Sequence, residues 1–313
     1  MVSFVIPVYN EKESIESFYK ELIKVVPQIN KNYEIIFIDD GSTDDSLKLL
    51  KLIATKNSHV RLYSFRRNLG KSEALTYGFI KAKGDYIITL DADLQDKPSE
   101  INKLYKKAKS GSDLVCGWRR FRQDKKKSIF ISKIFNSLME IFFNLNIHDY
   151  NCGLKVYSKE AAKNLRLYGG LHRFIPLLVY QQGFNVDEVE VEHQKRKYGK
   201  SKYGFSKLWK DLPDIFSILF ITKYRKRPLH FFGVAGGIFI LIGLIILIDL
   251  TIQHFMGYAI SRRPILFFGM VFVLAGFQLF FTGFLADLMI NIAHEPQLLD
   301  ERGMHYPIKY SSD

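Results

Sequence analysis

Two runs near the C-terminus, Phe231 to Ile248 and Pro264 to Ala286, contain no charged residue. Each reaches the roughly 18-residue length at which an apolar helix can cross a bilayer, and core helices seldom run so long without charge. Lys223, Arg225, Lys226 and Arg227 precede the first run, while Arg262 and Arg263 lie between the two. That bias keeps the N-terminal part of the chain on the cytoplasmic side, and two spans return the C-terminus there. Only Gln278 interrupts the second run, too little intramembrane polarity for a transporter. Gly233 and Gly237 have the small-x-x-x-small spacing of helix contacts, so association of copies through these helices is a candidate arrangement.

The chain before the spans alternates between two periods. Val2–Ile6, Glu34–Ile38, Val60–Phe65, Ile87–Leu90 and Leu114–Gly117 read as strands. Helical stretches separate the first four: one after Asn10, a plausible N-cap, to about Val26, one to about Ala54, and one from Ser72 to Lys81. Strands alternating with helices predict a parallel, doubly wound α/β sheet. Asn185–Val191 alternates as a further strand. Beside Lys202, Lys207 and Lys210, an apolar stripe of Phe205, Leu208, Trp209, Leu212, Ile215, Phe216, Leu219 and Phe220, kinked at Pro213, suits a helix lying on a bilayer, with a packed helix as the alternative. The predicted division is therefore an α/β domain over 1–204, amphipathic interfacial helices over 205–228, two transmembrane helices over 229–292, and a polar, pliable tail over 293–313.

Charge narrows the partners. The net charge of +13 is unevenly spread. Trp118 to Lys127 and His193 to Gly204 gather cations, the second with glycines and hydroxyls suited to phosphate oxygens. An anionic head group at a membrane is one reading and a solvated loop the other. Nucleic acid is disfavoured, because no reading helix or aromatic-faced module accompanies the basic runs. Cys116 and Cys152, the only cysteines, have no metal-binding spacing and suit a reducing compartment. The opening run Val2–Pro7 is too short, and lacks the basic lead, for a signal peptide. The inner (plasma) membrane with a cytoplasmic N-terminal domain is the expected location.

The chemistry gathers at strand ends. Ile87–Leu90 stops abruptly in Asp91-Ala92-Asp93-Leu94-Gln95-Asp96. Ligands of open parallel sheets bind beyond the carboxyl ends of the strands. Two carboxylates flanking one residue, Asp91 and Asp93, can converge there on a hard divalent cation that also holds a diphosphate; the alternative is that Asp93 and Asp96 merely open the next helix. The second strand likewise ends in Asp39-Asp40-Gly41-Ser42. Gly70-Lys71-Ser72 lacks the glycine five places earlier that a phosphate-binding P-loop needs, since Phe65 stands there. No Gly-x-Gly-x-x-Gly follows a strand, which sets aside a dinucleotide oxidoreductase.

Five motifs in order resemble one family: Pro7-Val8-Tyr9-Asn10-Glu11, Asp39-Asp40-Gly41-Ser42, Asp91-Ala92-Asp93-Leu94-Gln95, Asp149-Tyr150-Asn151-Cys152-Gly153 and Lys197-Tyr198-Gly199-Lys200-Ser201-Lys202-Tyr203. They resemble the inverting family 2 glycosyltransferases with a GT-A fold, a Rossmann-like, mostly parallel sheet. Within that family they resemble the polyprenyl-phosphate branch, that of dolichol-phosphate mannosyltransferase and the GtrB-type bacterial glucosyltransferases. The resemblance implies that Pro7, Tyr9, Glu11 and Asp40 hold the base and ribose of a nucleotide sugar, with Asp39, Lys71 and Ala92 completing the donor site. Asp91, Asp93 and Gln95 would hold Mg²⁺ or Mn²⁺ against the diphosphate. Arg119, Arg196 and Lys202 would bind the phosphates of donor and acceptor, and Asp149 would position the acceptor, with general base as its second role. Lys133 stands where related enzymes often carry arginine, so a bidentate phosphate grip is not implied there. The Gln-x-x-Arg-Trp signature of processive polysaccharide synthases is absent. The two-span tail inclines the donor to a UDP-sugar, UDP-glucose first, with GDP-mannose as the alternative. The implied acceptor, a polyprenyl (undecaprenyl) phosphate, is largely dianionic at neutral pH, its second pKa being about 6, so it needs little help from a base.

Overall fold

The computed structural model describes residues 1–120, 145–194, 227–258, 264–293 and 308–311, with side chains through 289. The chain divides into two compact units, one of Met1–Asp214 with His305–Asp313 and one of Ile215–Met304.

In the first unit, β1 (Val2–Val8), β2 (Tyr33–Asp39), β3 (Val60–Phe65) and β4 (Tyr86–Thr89) pair in parallel in the order β4-β1-β2-β3. Between them run α1 (Ile15–Ile29), α2 (Ser46–Lys56) and α3 (Lys71–Lys81). Such strands are buried on both faces and need near-continuous apolar runs; Phe4–Ile6 and Ile35–Ile38 are all fully buried. Helix α1 covers the sheet through Ile15, Phe18, Leu22 and Val26, spaced three and four apart and all at zero exposure. Each such side chain contributes about 1.5–3 kcal/mol on burial. The sheet is thus mostly parallel, as the alternation predicts.

Pro7 does not end β1, which continues to Val8 opposite Asp39. The ladder to β4 has already stopped at Val5–Thr89, so that flank of Pro7 is open where a cavity begins. Asn10 does not cap α1. It adopts a left-handed backbone (φ 56°), and its Oδ1 accepts from the Thr43 amide at 2.8 Å, tying the end of β1 to the loop after β2.

Two strands go unpredicted, Lys155–Ser158 and Ile308–Ser311. After the 3-10 turn Pro98–Glu100, α4 (Ile101–Lys109) and β5 (Leu114–Trp118), the chain returns as β6 (Lys155–Ser158), antiparallel between β4 and β5. Four residues with a lysine first give too weak an alternation to notice, yet all but Ser158 are buried. Helices α5 (Lys159–Asn164) and α6 (Ile175–Gln181) follow, with a 3-10 turn, Leu171–Phe174, leading into α6. Strand β7 (Val186–Glu190) closes that edge in parallel with β5. At the other edge, β8 (Ile308–Ser311) pairs antiparallel with β3. This part of the tail is therefore a strand rather than pliable, because an edge strand offers unpaired amides to any extended segment.

The second unit is a helical hairpin of α7 (Pro228–Phe255) and α8 (Pro264–Ala293). Both helices are long and apolar enough to cross a membrane, and only 11% of the apolar window of each is buried, unlike helices of a soluble core. The seam is made by glycines seven apart. A Cβ on Gly236 would come within 2.6 Å of the Gly276 carbonyl, and one on Gly243 within 2.8 Å of the Gly269 carbonyl. Such spacing lets two helices approach along one stripe. Gly237 meets nothing within 4 Å, so the Gly233/Gly237 spacing is not the contact in this hairpin.

Candidate active site

Parallel strands bring their carboxyl ends to one edge, and the acidic turns collect there. At the end of β2, Asp39 and Asp40 are buried. The Asp39 carboxylate accepts from Ser64 Oγ (2.7 Å) and the Ser42 amide (3.2 Å). Asp40 accepts from the Leu69 amide (2.7 Å), the Gly70 amide (3.0 Å) and Asn68 Nδ2 (2.9 Å). Both acids, expected in the donor site, thus hold the rim of the cleft by fixing loops. Burial pushes Asp40 up to about 6, against the pull of those amides. Gly41 is left-handed (φ 66°), and a Cβ there would lie 2.4 Å from the Arg67 backbone, so only glycine permits this closure. Glu11 joins the same rim: its amide donates to Ser46 Oγ at 2.9 Å, and its Oε2 accepts from Ser14 Oγ at 3.0 Å.

The turn after β4 is the centre of the cluster. Leu94 is buried with a left-handed backbone (φ 61°), a costly state for a branched side chain that bends the chain between Asp93 and Gln95. The Gln95 amide donates to Asp93 Oδ1 at 3.1 Å. Asp91 Oδ1 meets Lys71 Nζ at 2.5 Å. Burial would raise the Asp91 pKa, but Lys71, Lys155 and Arg119 hold it below the usual carboxylate value. Gly153 makes room for this carboxylate, since a Cβ would stand 2.7 Å from Asp91 Oδ2. Asp96 ties the turn to the approach to β6, accepting from the Leu154 amide at 3.2 Å. Burial, opposed by Arg119 and aided by Asp91, Asp93 and Asp149, raises its pKa.

From the other side comes Arg119, just past β5. Its Nε donates to Asp149 Oδ2 at 2.7 Å and its Nη2 to Asp149 Oδ1 at 3.1 Å. The pair is nearly closed to water, with side-chain exposures of 11% and 2%. Burial would lower the guanidinium pKa, yet Asp149 above all holds it well above its ordinary value. Asp149, expected to position the acceptor with general base as its second role, accepts from the Arg119 fork and from the Asn151 amide at 3.2 Å.

Pro7, Lys71 and Asp91 line one narrow cavity of about 20 Å³, together with Gly153, Lys155 and His172. Lys155 and His172 were not singled out from sequence. Lys155 stands two residues past the Asp149-Tyr150-Asn151-Cys152-Gly153 motif, and its buried Nζ donates to the Tyr150 and Cys152 carbonyls. His172 carried no spacing signal at all. Arg196, Lys202, Lys133 and the proposed interfacial helix lie outside the described residues.

The description "Glycosyl transferase family 2" matches residues 3–166. The chain is 33% identical to the dodecaprenyl-phosphate galacturonate synthase of Rhizobium johnstonii, over 92% of this chain and 87% of that protein. The chain is a family 2 glycosyltransferase. It is also 34% identical to the undecaprenyl-phosphate 4-deoxy-4-formamido-L-arabinose transferase of Proteus mirabilis, over 94% of this chain and 90% of that one. Among solved structures, this glycosyltransferase shares its fold with the glucosyl-3-phosphoglycerate synthase of Mycobacterium tuberculosis in complex with Mn²⁺, UDP-glucose and phosphoglyceric acid. The TM-score is 0.54 at 18% identity, covering 70% of this chain and 78% of that one.

Proposed function

We propose that this glycosyltransferase moves one sugar, with inversion, from a nucleotide sugar to a polyprenyl phosphate at the cytoplasmic face of the inner (plasma) membrane. One observation supports this most: Asp91, paired with Lys71, stands with Asp93 at the cleft edge of a chain that also carries two membrane-length apolar helices. Both relatives above are named for polyprenyl phosphates but for different sugars, so the reading commits to the acceptor more firmly than to the sugar. A UDP-sugar is the proposed donor. UDP-glucose, which the two-span tail suggested, stands beside galacturonate and 4-deoxy-4-formamido-L-arabinose.

In this reading Pro7, Tyr9 and Glu11 meet the base and ribose, with Asp39 and Asp40 fixing the loops around them and Ala92 keeping the turn closely packed. The residues at the end of β4 fit a hard divalent cation. Asp91, Asp93 and Gln95 offer oxygen donors, Gly153 leaves space beside Asp91, and a cationic ammonium already rests on that carboxylate. Among the described residues no three His, Cys, Asp or Glu side chains form a full cage. Mg²⁺ or Mn²⁺ at Asp91, Asp93 and Gln95 would therefore draw its remaining ligands from substrate phosphates and water. When bound, such an ion supplies charge stabilisation for the departing diphosphate.

The chain's own residues do the rest. A lipid phosphate oxygen attacks the anomeric carbon, and the bond from that carbon to the diphosphate oxygen breaks. No proton need be taken from a dianionic nucleophile, so Asp149 serves by holding the Arg119 fork towards phosphate rather than as a base. Lys71 screens the diphosphate, and Arg196 and Lys202 belong to the proposed phosphate-gripping set. The test is purified full chain in detergent with undecaprenyl phosphate and a panel of radiolabelled nucleotide sugars. A lipid carrying a single sugar is expected; long polymers, or no labelled lipid from any donor, would overturn the reading.

A further inference from the structure

His172 is held in one tautomer by a network that leaves its outer nitrogen as a hydrogen-bond acceptor. Ser72, fully buried in the first turn of α3, is the anchor. Its Oγ lies 2.7 Å from the Gly169 carbonyl, receives the His172 backbone amide at 3.1 Å, and lies 2.9 Å from His172 Nδ1. A hydroxyl has one proton to give and two lone pairs to receive. The carbonyl only accepts, so at 2.7 Å the hydroxyl proton belongs between the two oxygens. The contact to Nδ1 then needs its proton from the ring. His172 is therefore Nδ1–H, and Nε2 carries the lone pair. The ring is neutral at physiological pH, because burial, Lys71 and Arg173 push it down to about 3.

The cavity that His172 lines is about 20 Å³, and Lys71 and Asp91 line it too. That is space for one water-sized group and not for a sugar ring. Lys71 brings only donors and Asp91 only acceptors, whereas a neutral imidazole nitrogen accepts from a neutral hydroxyl without adding charge. We propose that His172 is a specificity residue of the donor site, its Nε2 accepting a hydrogen bond from a single hydroxyl of the transferred sugar that enters this slot, with Ser72 as the positioning residue that fixes the ring. This rests on the nucleotide-sugar reading above. A slot of this kind favours donors with a hydroxyl at the entering position over those with hydrogen there, because an acceptor left unpaired in a closed site costs affinity.

The experiment has two arms on the full chain in detergent. In the first, ¹⁵N-histidine spectra of wild type and His172→Gln identify the residue 172 signals by difference. A pyridine-type Nε2 with a protonated Nδ1 is expected, and a protonated Nε2 would overturn the inference whether or not any sugar is transferred. In the second, UDP-glucose, UDP-galactose, UDP-glucuronate, UDP-galacturonate and their commercially available deoxy analogues are compared with undecaprenyl phosphate as acceptor. His172→Leu is expected to lower kcat/KM for the best donor roughly 10- to 100-fold, about the worth of one hydrogen bond, and to level the preference for it over its deoxy analogue. Affinity for UDP alone, measured by titration, stays within about twofold, since the proposed hydrogen bond is to the transferred sugar, which UDP lacks. His172→Gln, which returns an amide oxygen near the place of Nε2, recovers part of the loss, and Ser72→Ala narrows the donor preference with the imidazole still present. An unchanged donor ranking in His172→Leu, or an equal loss of UDP affinity, would overturn the proposal. Absence of transfer from every donor by wild type would instead sink the functional reading, and the spectra would still decide the tautomer.

Discussion

Arg119 and Asp149 form a two-pronged ion pair, Nε to Oδ2 at 2.7 Å and Nη2 to Oδ1 at 3.1 Å, almost wholly withdrawn from water. A fork of this kind fixes a guanidinium in the plane where it can also meet phosphate. Removing one partner strands the other charge in a dry place, which typically costs about 3–5 kcal/mol. Asp149→Asn is therefore expected to lower the thermal midpoint of the full chain in detergent as well as the rate of transfer. Arg119→Lys keeps the charge but loses one prong, and is expected to retain more stability than activity. A transfer rate in Asp149→Asn equal to wild type would show that Arg119 needs no such support.

The acids of the β4 turn lead to a second expectation. Asp93→Ala is expected to abolish transfer while leaving the chain folded, with a thermal midpoint lowered by about the worth of a buried hydrogen bond, since it removes the acceptor of the Gln95 amide but no apolar packing. Chelation of divalent ions is expected to stop wild-type transfer, and Mn²⁺ or Mg²⁺ to restore it. Lys71→Gln frees Asp91 from a competing cation and so is expected to lower the metal concentration needed for half-maximal rate while still slowing transfer, because the lost cation also screens the diphosphate. Full turnover in chelator-treated enzyme would count against any metal role for Asp91, Asp93 and Gln95.

Much of this arrangement was legible in the chain, and what was not has physical causes. Asp91 and Asp93 stood out because an apolar strand ends on them, and a parallel sheet must deliver such ends to one edge. The two apolar helices were legible because a helix of that length in water would need a charged face, and neither has one. Asp40 stood out as a donor-site candidate, but nothing in a sequence says that the amides of Leu69 and Gly70 also hold its carboxylate. Arg119 and Asp149 were each named, yet their pairing depends on β6, whose four residues carry no clear period. His172 was invisible for the same reason: its partner Ser72 is 100 residues earlier in the chain.

Acidification provides a third expectation. An ordinary histidine takes up a proton near pH 6.5, whereas folded His172 holds off protonation until about 3. Between those values the unfolded chain binds the extra proton, so the folded state loses stability as pH falls through that window. The groups that set this are the cations Lys71, Arg173 and Lys155, which oppose a further charge, and Asp91, which favours it. Asp40 works the other way. Its carboxyl, raised by burial to about 6, binds a proton in the folded state first, which adds stability as pH falls from about 6 towards 4. The two effects separate in a comparison of variants. The midpoint of His172→Gln is expected to fall less than that of wild type between about pH 7 and about pH 4. Parallel slopes would place the ring of His172 in a more solvated setting than this fold gives it.

The glycine seam of the hairpin makes the last expectation a contrast within one helix. On α7, Gly236 faces the backbone of Gly276, with 2.6 Å between its would-be Cβ and that carbonyl, while its neighbour Gly237 faces open space. Overpacking a tight contact commonly costs about 1–3 kcal/mol, and here the obstacle is backbone, which cannot swing aside as a side chain does. Gly236→Leu and Gly276→Leu are thus expected to separate the helices and lower the thermal midpoint in detergent. Gly237→Leu, a change of equal volume one residue away, is expected to leave it nearly unaltered. Because a left-handed seam repeats every seven residues, Gly243→Leu and Gly269→Leu are expected to behave like Gly236→Leu. If Gly237→Leu proved as harmful as Gly236→Leu, the contact would lie on the Gly233/Gly237 face, and the hairpin would be rotated from the packing described.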